Sequence, residues 1–127
     1  LSHWAALVHG YVTTFAQPFQ ENERLRPVWD AVHAHLETQW SLEALADLAC
    51  VSKEHLRRLT TQTLGRSPMQ HVTYLRMKRA SELLESTDHK IARIAREVGY
   101  ANPFAFSNTF LRWSGFRPSY FRKPPSD

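Results

Sequence analysis

Two stretches of this chain can be laid over one another. Leu45-Ala46, Ala49-Cys50, Leu56, Thr60, Gly65 and Pro68 run in the same order as Ile94-Ala95, Val98-Gly99, Phe106, Phe110, Gly115 and Pro118. The offset is 49 residues at the start and 50 from Leu56/Phe106 onward, so the second turn is one residue longer. An internal repeat is read before anything else, because it fixes the unit from which the fold is built. Each copy reads as a short helix, a tight turn and a second helix with apolar residues four apart, which is a helix-turn-helix. Ala46 and Ala95 are small where the two helices of each unit would cross closely. Chance likeness between amphipathic helices does not account for the shared Gly-x-x-Pro ending.

The rest of the chain is helical in pattern too. No sustained period-2 alternation appears, and there is no Asn-Gly or Asp-Gly hairpin signal. Trp4, Leu7, Val8, Tyr11, Val12 and Phe15 form one stripe, followed by a polar segment, 17–23, that Pro18 opens as a linker. Leu25, Val28, Trp29, Val32 and Leu36 predict a helix from Arg24 to Gln39. The first unit is a helix from Leu42 to Ala49, burying Leu42, Leu45 and Ala46, and one from Lys53 to Leu64, capped by Ser52 and stopped by Gly65. Pro68 opens a joining helix to about Ser86, with Val72, Leu75, Ala80, Leu83 and Leu84 inside. The second unit is a helix from Ile91 to Val98, then one from Pro103 to about Trp113, capped by Asn102 and stopped by Gly115. A last turn follows over 118–122.

Charge is unevenly spread. Residues 1–50 hold two basic and six acidic side chains, a net −4, and residues 51–127 hold fourteen and six, a net +8. That asymmetry points to a polyanionic partner for the C-terminal part. No apolar run reaches the roughly 18 residues of a membrane span. One cysteine, Cys50, excludes an internal disulfide and any multi-cysteine zinc site, and it reads as a packed thiol rather than a nucleophile.

The outward faces of the two second helices differ. Helix 53–64 buries Leu56, Leu59, Thr60 and Thr63 and turns Glu54, Arg57, Arg58 and Thr61 outward, with Lys53 and His55 at its N-terminal edge. A major groove, about 12 Å wide, admits one helix, and an arginine can fork onto guanine O6 and N7. Glu54 suits a cytosine N4 amine or a neighbouring arginine. Helix 103–113 buries Phe106, Phe110 and Trp113 and turns out Phe104, Ser107, Asn108 and Leu111. Asn108 suits adenine N6 and N7, and Phe104 a thymine methyl. Phosphate contacts are expected from Lys53, Thr61, Arg66, Lys90 and Arg112, with the amides near Ser41. Arg76 is expected to brace the subdomains through Glu82 or Glu97, or to touch DNA. A joining helix of about 18 residues spans about 27 Å, against about 34 Å between successive major grooves on one face of DNA.

These residues carry a resemblance. From about Leu25 to Lys123 the chain resembles the DNA-binding domain of AraC/XylS-type transcription regulators. The first half holds Ser41-Leu42-Glu43-Ala44-Leu45-Ala46, Val51-Ser52, Leu56-x-Arg58, Gly65-x-Ser67-Pro68 and Arg76-Met77-x-x-Ala80. The second holds Ile94-Ala95-x-x-Val98-Gly99-Tyr100, Phe106-x-x-x-Phe110, Gly115-x-x-Pro118 and Phe121-Arg122. The resemblance implies an all-α, seven-helix double helix-turn-helix, in which two three-helix-like subdomains are joined by a long helix. It places base-reading positions on Glu54, Arg57 and Arg58, and on Pro103, Phe104, Ala105, Ser107 and Asn108. Thr60 stands where the family usually has Phe, which predicts a looser first core. Pro103, Phe104 and Ala105 replace more polar residues, so the first unit is expected to supply most of the discrimination.

The domain boundaries expected are 1–23 for a linker and last helix left over from a missing N-terminal effector or dimerisation domain, 24–123 for the DNA-binding domain and 124–127 for a tail. The function expected is sequence-specific binding of double-stranded DNA by a cytoplasmic bacterial transcription regulator, with both recognition helices in successive major grooves. No cofactor, metal or membrane is expected. RNA polymerase and a small-molecule effector would be partners of the full-length protein, and the chain itself is expected to be monomeric. An enzyme is disfavoured by dispersed histidines, the lack of a His-Glu-x-x-His pattern and the lack of a glycine-rich phosphate loop. The other rival is a helical protein-interaction module with only non-specific DNA affinity, and RNA is disfavoured because no stacking aromatic platform is apparent.

Overall fold

A computed structural model of the protein describes residues 23–122. Among these residues there are seven helices and no strand. They are α1 (23–34), α2 (Leu42–Ala49), α3 (Lys53–Leu64), α4 (Pro68–Ser86), α5 (Ile91–Glu97), α6 (Pro103–Ser114) and α7 (Pro118–Arg122). The helix expected along Trp4 to Phe15 and the tail at 124–127 lie outside the described residues. The chain divides into two compact units, one of residues up to Ala31 with Ser41–Met69, the other of Val32–Trp40 with Gln70 onward.

In the first unit α2 packs on α3, and Leu25, Val28, Leu45, Ala46, Leu56 and Leu59 are buried. Thr60 is fully buried among them. Its Oγ1 donates to the Leu56 carbonyl at 2.8 Å, so the hydroxyl carries no unmet polar cost. In the second unit Met77, Ala80, Leu83, Leu84, Ile94, Ala95, Val98, Phe106 and Phe110 form one buried cluster, flanked by Ile91, Tyr100 and Phe121. Phe106 and Phe110 tilt against one another at 5.8 Å between centroids, and Phe121 meets Phe110 edge-on at 5.3 Å.

The repeat is reproduced bond for bond. Cys50 N donates to the Asp47 carbonyl and Val51 N to that of Ala46, both at 3.1 Å. Their counterparts are Gly99 N to Arg96 at 3.1 Å and Tyr100 N to Ala95 at 2.8 Å. The helices α3 and α6 end alike, on Gly65 (φ 75°) and Gly115 (φ 89°), each donating to the carbonyl four residues back. The extra residue of the second turn is Ala101, between Tyr100 and the cap Asn102.

Several expectations are corrected. The first is that α1 ends at 34, not at Gln39. Carbonyls of the turn that follows it are taken by side chains from further along the chain. Trp40 Nε1 donates to His35 at 2.9 Å, and Arg76 donates to Leu36 at 3.2 Å through Nε and to Thr38 at 2.7 Å through Nη2. Arg76 therefore braces backbone carbonyls within the second unit rather than Glu82, which pairs with Arg79, or Glu97, which pairs with Arg93. Burial pulls its pKa below the ordinary value, while Tyr100, whose ring lies 5.8 Å beneath the guanidinium, acts to raise it. Arginine's ordinary value is so high that the group stays cationic.

Five burial expectations also change, the first being Thr63, which is half-buried with its Oγ1 donating to the Leu59 carbonyl at 2.9 Å. On α4 the buried arc follows Val72, Ala80 and Leu84 with Met77, so Leu75, just off that arc, is only half-buried. Leu42 is half-buried as well. Trp113 is 38% exposed, lying against Phe110 and the edge of Tyr74. Cys50 is exposed rather than packed; it closes α2 in the left-handed conformation (φ 58°).

Arg122 ties the connector between α4 and α5, donating to the carbonyls of Leu84 (3.2 Å), His89 (2.7 Å) and Thr87 (3.0 Å). Gly99 is required twice over. Its φ is 102°, and a Cβ there would stand 2.5 Å from the Leu36 carbonyl oxygen and 2.8 Å from Arg76 Nε. Gly99→Ala is expected to cost roughly 3 kcal/mol of unfolding free energy. Cys50→Gly relieves a left-handed non-glycine residue and is expected to add about 0.5–1 kcal/mol. Urea denaturation followed by circular dichroism measures both, and a tolerated Gly99→Ala would contradict this close approach.

Candidate nucleic-acid interface

The two outward faces stand on helices whose starts are fixed locally. Ser52 Oγ accepts from His55 N at 3.0 Å, and Asn102 Oδ1 accepts from Phe104 N at 2.7 Å and Ala105 N at 3.3 Å. Pro103 follows Asn102 at the first helical position, where its missing N–H costs nothing.

On α3, burial of Leu56, Leu59 and Thr60 turns the opposite row to solvent. Glu54, Arg57, Arg58 and Thr61 lie together along a shallow concavity with Gln62, a member that the sequence reading missed. All are exposed. Arg58 Nη2 lies 2.8 Å from His55 Nδ1, which holds that guanidinium at the N-terminal end of the face. Lys53 is exposed at the first helical position.

On α6, Phe104 is 78% exposed and Asn108 is exposed, while Ser107 and Leu111 are half-buried. Arg112 lies at the edge, its Nη2 on Thr109 Oγ1 at 3.4 Å. A further cation reaches this face. Arg117, from the turn before α7, places Nη1 3.2 Å from Ser107 Oγ and 3.2 Å from Asn108 Oδ1. The available signal was its place inside the Gly-x-x-Pro ending, which reads as punctuation rather than as chemistry.

The other expected phosphate ligands are scattered. Lys90 is exposed at the N-cap of α5 without a side-chain cap bond, beside Arg93 and Arg96. Arg66 is half-buried and already engaged within the protein. The Ala44 amide is occupied by Ser41 Oγ at 3.1 Å. Each unit therefore carries its own group of expected contacts, Glu54, Arg57, Arg58 and Thr61 in the first and Phe104, Ser107 and Asn108 in the second.

Comparison with known proteins decides what this pair of faces belongs to. A family profile described as a helix-turn-helix domain matches residues 45–124. The chain is 36% identical over 98 residues to the MmsAB operon regulatory protein of Pseudomonas aeruginosa, covering 74% of this chain and 32% of that protein. It is 33% identical over 95 residues to a putative AraC-like transcription regulator of Streptomyces lividans, covering 75% and 31%. The chain belongs to the AraC family. It spans about a third of the length of these curated relatives.

Two solved structures share the fold. The C-terminal domain of AraT, a response regulator from Geobacillus stearothermophilus, matches with a TM-score of 0.75 at 32% identity, over 82% of this chain and 87% of that one. The DNA-binding domain of AdpA, solved in complex with a target DNA, matches with a TM-score of 0.74 at 30% identity, over 77% and 88%. In this AraC-family chain the caps set the two faces, so Ser52→Ala and Asn102→Ala are each expected to cost about 1 kcal/mol. Thermal melts read the loss, and unchanged melting would mean that the faces are held by packing alone.

Proposed function

We propose that this chain is the DNA-binding domain of a bacterial transcription regulator and that it reads double-stranded DNA through the exposed rows of α3 and α6. The observation that carries this is the division of α3. A fully buried row of Leu56, Leu59 and Thr60 holds an exposed row of Glu54, Arg57, Arg58 and Thr61 rigid. Arg57 and Arg58 are suited to guanine edges and Glu54 to a cytosine amine. Phe104 suits a thymine methyl, and Ser107 and Asn108 stand at the same level of the second face. Lys53, Thr61, Arg66, Lys90 and Arg112 are assigned to phosphates, which fix register without reading sequence.

The AdpA complex supports the reading, since that related domain was solved on its target DNA. Because the chain spans about a third of its curated relatives, effector binding and contact with RNA polymerase are assigned to the full-length protein, acting in the cytoplasm. No helix among the described residues is long and apolar enough to cross a membrane.

Selection from a random duplex pool at moderate salt tests the reading. The wild type is expected to enrich a motif, of about two helical turns if both units read. Arg57→Ala is expected to relax one end of it, at a cost of about 1–3 kcal/mol for the preferred base. Log affinity should fall with log salt by roughly 0.9 per phosphate neutralised. Weak binding that enriches nothing and vanishes with salt would overturn the reading in favour of a protein-interaction module.

A further inference from the structure

The repeat lets the two reading faces be compared position by position. At the offset of 50, Arg57 corresponds to Ser107 and Arg58 to Asn108. The second helix has therefore lost both of the arginines that the first presents. Those two positions are not left without a cation. Arg117 reaches back from the turn between α6 and α7, and its Nη1 lies 3.2 Å from both Ser107 Oγ and Asn108 Oδ1. At the same offset the first unit has Ser67, its own turn arginine, Arg66, standing one place earlier, so no arginine of the first unit occupies the position of Arg117.

We propose that Arg117 is the principal base-reading residue of the second unit, delivering its guanidinium to a guanine from the level of Ser107 and Asn108. The proposal rests on the DNA-binding reading above and reassigns Asn108. Its side-chain oxygen, expected to help read adenine, instead accepts from Arg117 and positions it. The carboxamide and the hydroxyl together take one end of the guanidinium. A planar fork held at one nitrogen is pre-organised, so less side-chain entropy is lost when it meets a base edge. Arg117 is exposed, so its charge is available to a partner. The exposed Phe104 lies one helical turn before Asn108 on the same face, where it would pack on a neighbouring base.

The test is duplex selection with the 127-residue chain as wild type, Arg117→Ala, Arg117→Lys and Asn108→Ala, each checked by thermal melting. Arg117→Ala is expected to lower preference for guanine roughly tenfold at one or two positions, at the end of the motif opposite to that relaxed by Arg57→Ala. Arg117→Lys keeps the charge but lacks the fork, so it is expected to lose the same preference while keeping the salt slope. Asn108→Ala is expected to weaken that guanine preference and to leave adenine preferences unchanged.

Two results would overturn the proposal. One is an Arg117→Ala variant that binds every sequence more weakly by one common factor, with lysine restoring the loss; that describes a phosphate contact. The other is an adenine preference lost in Asn108→Ala while guanine readout persists. If the wild type itself enriches no motif, the DNA-binding reading fails first and this assignment falls with it.

Discussion

A single backbone feature governs much of this structure: the positive-φ residue in the turn of each helix-turn-helix. At Cys50 (φ 58°) and Gly99 (φ 102°) the chain reverses, and the hydrogen bonds that complete each turn are the same in both units. That reversal brings the next helix back onto the small residues Ala46 and Ala95, both nearly or fully buried. It thereby decides which row of α3 or α6 meets the core and which meets solvent. In the second unit the turn is pressed against the end of α1, where the Leu36 carbonyl and Arg76 leave no room for a Cβ. Arg76 ties that end of α1 down, and Arg122 does the same for the connector before α5. Two half-buried arginines thus satisfy carbonyls of the segment after α1 and of the connector after α4.

The scaffold and the reading surface are separable because they occupy opposite rows of the same helices. Inside, Leu56 and Thr60 correspond to Phe106 and Phe110, a leucine with a self-satisfied threonine in one unit and an aromatic pair in the other. Outside, the correspondence fails at every reading position. Glu54 corresponds to Phe104, Arg57 to Ser107 and Arg58 to Asn108 in the repeat. Internal rows are held by packing, which tolerates swaps of apolar residues of suitable volume. External rows carry no packing constraint and are free to differ in chemistry.

Local signals made the helices of both units readable from sequence. Ser52, Gly65, Asn102 and Gly115 act within a few residues of themselves, so α3 and α6 begin and end within one residue of expectation. What the sequence hid was set at long range or by conformation. The turn after α1 is held by Arg76, forty residues away from Leu36 along the chain. Cys50 reads as apolar by residue type, whereas the fold leaves it exposed at a left-handed position that its type does not announce. Arg117 stands inside the Gly-x-x-Pro ending, and only the fold brings it to Ser107 and Asn108. The face of α3 was legible because its residues lie on one helix; the face of α6 was half-legible because its cation comes from outside that helix.

Guanine N7 methylation interference on a selected duplex tests the central claim most directly, because it asks whether side chains touch base edges. The account predicts two separate clusters of interfering guanines. One belongs to the arginines of α3 and disappears in Arg57→Ala/Arg58→Ala; the other survives in that variant. Interference by phosphate ethylation alone, with methylated guanines bound as well as unmodified ones, would contradict it and leave a surface that grips the DNA backbone without reading it.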